Sequence, residues 1–298
     1  MPSNKIIKQQ IKSLKKEYDS LRKDKESLLD MIDTAEIPEN VYNSNAIENS
    51  TLTLKETEKI LLEMELPRNV SLREVFEAKN LAHIMDYTKK KAQEKEISKK
   101  NILLLHKMLI SNIDDKIAGR FRQKGEYVRV GTHVAPGPEQ IYKIMKSILL
   151  EYSSNLSLYF IDRIAKFHLD FETIHPFCDG NGRIGRVLIN YQLLRLGFPI
   201  ITIRNKEKKT YYQAFNDYQQ NKNTKIMEKI IFLALTESLY KRIAYLKSKQ
   251  IITLSEYSKK IKKPAPVILN AARRQTVPAF REKGVWKINA DFKYKPKK

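Results

Sequence analysis

The chain has 298 residues, 42% of them hydrophobic and 30% charged, the composition of an ordinary globular protein with room for one to three domains. No apolar run approaches the roughly 18 to 20 residues of a membrane span, and the N-terminus lacks the apolar stretch of a secretory signal, so no membrane partner is expected. The single cysteine, Cys178, suits a reducing, cytoplasmic location, no cysteine and histidine set has zinc spacing, and a net charge of +22 favours anionic partners such as nucleotides, nucleic acid or acidic proteins.

Long 3.6-residue apolar patterns and only 9 glycines predict a mostly helical protein. The first helix is expected over roughly residues 4 to 32. There Ile7, Ile11, Leu14, Tyr18, Leu21, Leu28 and Ile32 form one stripe, interrupted at Lys25, and "IPEN" is expected to end it. "NSTLTLKETEKILLEM" starts another helix, with Thr53 as its cap and Glu56 three residues on. A further helix should begin after Ser71, and "SKKNILLLHKMLI" continues the pattern. Residues 118–140 are non-helical. Tyr127, Val128 and Val130, followed by Gly131 and Pro136, read as a short strand or hairpin. Helices resume at "IYKIMKSILLEY", "LYFIDRIAKFHLDFETI", "GRIGRVLINYQLLRLG", "YYQAFNDYQQN" and "KIMEKIIFLALTESLYKRIAYL".

From about residue 250 two short helices and a two-stranded wing predict a winged helix-turn-helix. Residues 251–298 hold 13 Lys and Arg against 3 Asp and Glu, so DNA contact through 246–298 is expected. The organisation expected is a helical region at 1–95, a core at 96–245 and a basic module at 246–298. The sequence is compatible with a homodimer.

The stretch "HPFCDGNGRIGR", residues 175–186, gathers the chemistry. Pro176 should end the preceding helix at His175. Gly180 and Gly182 can take positive φ and turn backbone N–H groups toward one point, an anion nest. A helix beginning after Gly182 adds its dipole and free donors. Arg183 and Arg186 can fork onto phosphate oxygens, and Asp179 can hold Mg²⁺ against them. His175 can take a proton near neutral pH. Together these residues describe phosphoryl or nucleotidyl transfer to a hydroxyl.

The same residues resemble the signature of the Fic family, with every defining position filled. The resemblance extends over roughly residues 30–245 through "EAKNLAHIMDY", "GRFR" and "YYQAF". It implies an all-α, Fic-type helical core with a short β-hairpin flap, and transfer of AMP from ATP to a Ser, Thr or Tyr hydroxyl of a protein, itself included. By this resemblance His175 is the base and Asp179 the Mg²⁺ ligand. Gly180, Asn181, Gly182, Arg183, Ile184, Gly185 and Arg186 line the phosphate site, with Phe177 anchoring the loop. Gly131, Thr132 and His133 belong to a flap that lays the target beside the site, and Tyr211 or Tyr212 lines the nucleotide pocket. "SNAIEN" resembles the family's inhibitory motif, with Ser44, Glu48 and Asn49 at its defining positions. Glu48 is then expected to pair with Arg186 in the place of the γ-phosphate.

Alternatives within the same chemistry are transfer of UMP, phosphocholine or phosphate, and removal of AMP. A different class is a DNA-binding regulator with secondary enzymatic activity. Cys178 reads as filler of a variable position, His83, His106 and His168 as core residues, and Trp286 as core of the C-terminal module.

Overall fold

Short polar side chains set the helix starts. Thr53 and Thr253 form capping boxes with Glu56 and Glu256, while Ser71 and Ser98 accept from the backbone of Glu74 and Asn101. The computed structural model describes residues 5–67, 69–94, 96–131, 133–248 and 250–294. The chain divides into two compact units. One comprises residues 37–198 and 202–231, the other residues 1–36, 199–201 and 232–298.

In the larger unit α3 (Leu54–Glu58) leads through one π-helical turn towards α4 (Leu72–Lys91). The bundle continues with α5 (Lys99–Ile110), α6 (Pro138–Ser154), α7 (Phe160–Ile174) and α8 (Asn181–Arg195). Leu81, Ile84, Leu105, Leu109, Phe167 and Phe171 fill the centre together with Phe177, Ile184 and Leu188. Between α5 and α6 lies a hairpin of β1 (Arg129–Val130) and β2 (His133–Val134), paired in antiparallel register. Helix α9 (Lys208–Asn221) packs on α7.

The N-terminal helix differs from expectation. It stops as α1 (Lys5–Leu21), and Asp24 takes a left-handed φ of 60° before α2 runs Glu26–Ile47. The break thus falls where Lys25 interrupts the apolar stripe. Proline at 38, expected to end a helix, lies inside α2. Tertiary bonds outweigh the roughly 3 kcal/mol that an internal proline costs. Beyond Pro38, Glu39 pairs with Arg204, Asn40 Nδ2 donates to Thr202 Oγ1 at 2.8 Å, and Asn43 Oδ1 accepts from the Asn205 amide at 3.0 Å.

Helix α10 (Lys225–Leu246), which belongs to the smaller unit from residue 232 on, leads into β3 (Ile251–Thr253), α11 (Leu254–Lys260), α12 (Ala265–Arg273), β4 (Ala279–Glu282) and β5 (Val285–Asn289). The wing has three strands in the order β3-β5-β4, one more than the sequence suggested. Strand β3 has only three residues, too few for an alternation to register. Trp286 packs against the module's core of Leu254, Tyr257, Ile268 and Ile288. Arg242, fully buried, donates through Nη2 to Asp33 Oδ1 at 2.5 Å and Glu36 Oε2 at 2.7 Å. Removing one partner of such a cluster leaves uncompensated buried charge. Arg242→Leu should therefore lower unfolding free energy by about 3 kcal/mol or more in a denaturant titration. Adding Asp33→Asn and Glu36→Gln should recover part of it, because the stranded charges are then gone.

Candidate functional site

Residues 175–186 form the junction of α7 and α8. Helix α7 ends at Ile174, and His175 caps it in the left-handed region at φ 47°. Gly180 takes φ 80° as the N-cap of α8. A side chain at 180 would also run into Leu109, 2.8 Å from where its Cβ would sit. Gly182 departs from expectation. It has ordinary helical φ, because α8 already starts at Asn181. Its lack of a side chain serves close approach instead: a Cβ there would stand 2.1 Å from Glu48 Oε1.

The loop is held from several sides. The Phe177 ring is buried and stacks on His106 at 3.7 Å, with 3° between the planes. The Gly119 amide donates to His106 Nδ1 at 3.0 Å, so His106 Nε2 carries the proton and donates to the Asp179 carbonyl, also at 3.0 Å. Burial lowers the His106 pKa to about 4, which keeps that tautomer neutral. The Asn181 side chain turns inward and clasps Phe177, accepting from its amide at 2.9 Å and donating to its carbonyl at 2.8 Å. Arg122 donates to the carbonyls of His175 (2.8 Å), Pro136 (2.9 Å) and Glu126 (2.8 Å), tying the loop to the root of the hairpin.

His175 donates through Nδ1 to the Glu172 carbonyl at 2.7 Å, which leaves Nε2 with its lone pair. Burial lowers its pKa. His175 lines two cavities. One, of about 490 Å³, is walled by Tyr211, Tyr212, Phe215 and Gln219. The other, of about 460 Å³, is polar and walled by Arg73, Asp179, Gly180, Asn181 and Arg183. His175, Gly182, Glu48 and Val130 are common to both.

Arg186 is buried. Its Nε donates to Ser44 Oγ at 2.9 Å and its Nη2 to the Ser44 carbonyl at 2.7 Å, with Nη2 also 2.8 Å from Glu48 Oε1. Ser44–Ile47 of the "SNAIEN" stretch form the last turn of α2, and Glu48 follows directly. Asn49 follows in the left-handed region, and its Oδ1 accepts from Lys208 Nζ. Arg183 bridges Glu77 (3.0 Å) and Asp179 (3.1 Å). Tyr211 OH stands 2.8 Å from His168 Nε2, and Tyr212 OH donates to the Ile47 carbonyl at 3.3 Å.

Three positions expected at the phosphate site, Ile184, Gly185 and Arg186, line neither cavity. Ile184 is buried in the core and its amide donates to the Gly180 carbonyl. At Gly185 a Cβ would meet Glu172 Oε1 at 2.3 Å, so this glycine admits the α7 side chains. In the hairpin, His133 Nε2 donates to the Thr173 carbonyl at 2.8 Å, and Gly131 turns at φ 58°. Thr132 lies outside the described residues. Val130 and Val134 are exposed. Cys178 is half-buried and its thiol is pushed up to about 11, unsuited to a nucleophile. His83, expected in the core, is exposed on α4 between the buried Leu81 and Ile84. Among the described residues no three metal-ligating side chains cluster.

Sequence reasoning missed Arg122, the clasping role of Asn181, and Glu172. The Glu172 carboxyl is buried, its Oε1 lacks a hydrogen-bond partner among the described residues, and burial next to Glu48 pushes its pKa up to about 8.

These residues define a helix N-terminus that opens onto two cavities in a mostly helical core. Residues 96–193 match the model of the Fic/DOC family. It is 35% identical over 179 residues to the protein adenylyltransferase Fic of Drosophila willistoni, a match covering 58% of this chain and 35% of that relative. The chain thus spans about a third of the length of such curated relatives. Among solved structures it is similar to a Fic domain containing signaling protein from Bacteroides thetaiotaomicron, with 26% identity, a TM-score of 0.70, and coverage of 81% of this chain and 98% of that one. Fic-1 from C. elegans is similar at 25% identity and a TM-score of 0.68, covering 80% and 72%.

Glu172 supplies a test of the site's electrostatics. Its folded pKa of about 8 lies above the unfolded value, so its contribution is full below pH ~4.5 and lost as pH rises through about 8. Glu172→Gln removes the titration. The variant should gain on the parent from pH 5 to 8, by on the order of 2 to 4 kcal/mol at the plateau, in urea unfolding at stepped pH. Parallel stability curves would show that Glu172 is ionised at neutral pH.

Proposed function

We propose that this chain transfers AMP from ATP to a hydroxyl of a protein, itself included, and that Glu48 restrains the reaction. The observation carrying this reading is the pair of cavities that meet at His175. The aromatic cavity suits a purine, stacked by Tyr211, Tyr212 or Phe215. The polar cavity suits phosphates, received by the backbone at Gly180, Asn181 and Gly182 and by Arg183. A nucleotide spanning both presents its α-phosphorus near His175. The relatives' name, protein adenylyltransferase, points the same way.

In this reading His175 Nε2 takes the proton of the attacking hydroxyl as its oxygen bonds to the α-phosphorus. The bond to the β-phosphate oxygen breaks and pyrophosphate leaves. The Nδ1 bond to Glu172 fixes the imidazole so that Nε2 is the base. The Asp179 carboxylate, a hard oxygen at the edge of the polar cavity, fits Mg²⁺, which takes one or two carboxylates and completes its shell with phosphates and water. When bound, the ion neutralises charge on the phosphate oxygens. The exposed edge of the β1–β2 hairpin would take an extended target segment by strand pairing.

Glu48 sits on Gly182 and holds Arg186, the place and the partner a γ-phosphate needs. Glu48→Gly should raise AMP incorporation, measured by mass on the chain itself. Adding Arg186→Ala should cancel the gain, and adding His175→Ala should lower transfer on the order of 10²-fold or more. A Glu48→Gly variant no more active than the parent would reduce "SNAIEN" to a helix end.

A second reading, DNA contact, adds to the first. Residues 257–281 hold seven basic residues and no acidic one. Lys262, Lys263, Asn270, Arg273 and Arg274 are exposed along the turn before α12 and its outer face. Binding of the full chain to a random 20-base-pair duplex should weaken linearly in log–log form with salt. Arg273→Glu with Arg274→Glu should flatten the slope by roughly 2. Salt-independent or absent binding at low ionic strength would remove this reading.

A further inference from the structure

Asp179 presents one carboxylate to the polar cavity, and both of its oxygens are engaged. Oδ1 accepts from the Gly180 amide at 2.6 Å and from Arg183 Nη2 at 3.1 Å. Oδ2 accepts from Arg73 Nη2 at 2.5 Å. Arg73 Nε also donates to Glu77 Oε1 at 3.1 Å, and the same oxygen pairs with Arg183 Nη1, which closes a four-membered ring of alternating charge. The two arginines differ in freedom. The Arg183 side chain is 4% exposed and locked in α8, whereas that of Arg73 is 57% exposed and stands in the first turn of α4. Arg73 can leave Asp179 for solvent or for another anion, and Arg183 cannot.

We propose that Arg73 is a counter-cation that competes with the divalent metal for Asp179 Oδ2, and so sets how tightly the chain takes the metal. The proposal rests on Asp179 being the metal ligand. A guanidinium on Oδ2 would stand within ~4 Å of a divalent cation on the same oxygen, where the two repel and each weakens the other's hold. Nucleotide phosphates entering the cavity offer the guanidinium another set of oxygens. Metal uptake is then favoured by the nucleotide, and the resting site carries its own neutralising charge.

Mn²⁺ is the probe, titrated into the nucleotide-free full chain, where Arg73 holds Asp179, and counted free by electron paramagnetic resonance. Arg73→Gln should tighten Mn²⁺ binding about 5- to 10-fold, Arg73→Lys should fall between, and the difference should shrink in 0.5 M NaCl as the charges are screened. A merely structural arginine predicts unchanged or weaker Mn²⁺ binding with a lower melting temperature, and that result overturns the proposal. Asp179→Asn separates the two layers. If it abolishes Mn²⁺ binding while Arg73→Gln has no effect, the competition alone is wrong. If it binds Mn²⁺ like the parent, the metal reading falls and the competition with it.

Discussion

Two hydrogen bonds from one side chain hold the site together. The Asn181 amide saturates both main-chain groups of Phe177, a residue buried in the core. Between α7 and α8 the chain must leave one helix, bury an aromatic ring and start another helix within six residues. Backbone polar groups drawn into the core by Phe177 would otherwise go unpaired. His106 beneath the ring and Arg122 behind the carbonyls extend the same solution outward. The His175 tautomer, the direction of the α8 N-terminus and the two cavities all depend on this loop keeping one conformation.

Charge in the site is layered by burial. At the solvent edge Arg73, Asp179, Glu77 and Arg183 alternate in sign and can rearrange. Deeper, Arg186 faces Ser44, Glu48, Tyr211 and Glu172, with water largely excluded. Its guanidinium stays charged there, while the carboxyl of Glu172 is driven toward its neutral form. One arginine thus pairs with one carboxylate, and the second is accommodated by protonation.

Much of this was legible in the sequence, for reasons that differ by element. The helices of the core announced themselves because each buries one stripe, and the Thr53 and Ser71 starts because capping is local. The 175–186 motif was legible from residue type at fixed spacing, and the Glu48 partner from what the family resemblance implies. The continuation of α2 past Pro38 was not, since Asn40 and Asn43 find their partners some 160 residues away. Nor was the conformation of Gly182: a glycine reads the same whether it is needed for φ or for room. Arg122, His106 and Glu172 lie outside the motif as ordinary-looking residues, and only the folded chain brings them to the loop.

The position of Glu48 at the end of α2 has a kinetic side. A carboxylate there opposes the helix dipole, so the helix itself does not hold it. The turn closes through the amides of Glu48, Asn49 and Ser50, which donate to the carbonyls of Asn45 and Ala46. Freeing the carboxylate requires those few bonds and its pair with Arg186 to open. Terminal turns open at free energies far below that of global unfolding. If Glu48 restrains the site as proposed, access to Arg186 follows fraying at a helix end, an equilibrium that a partner touching residues 48 to 52 would shift without disturbing the core.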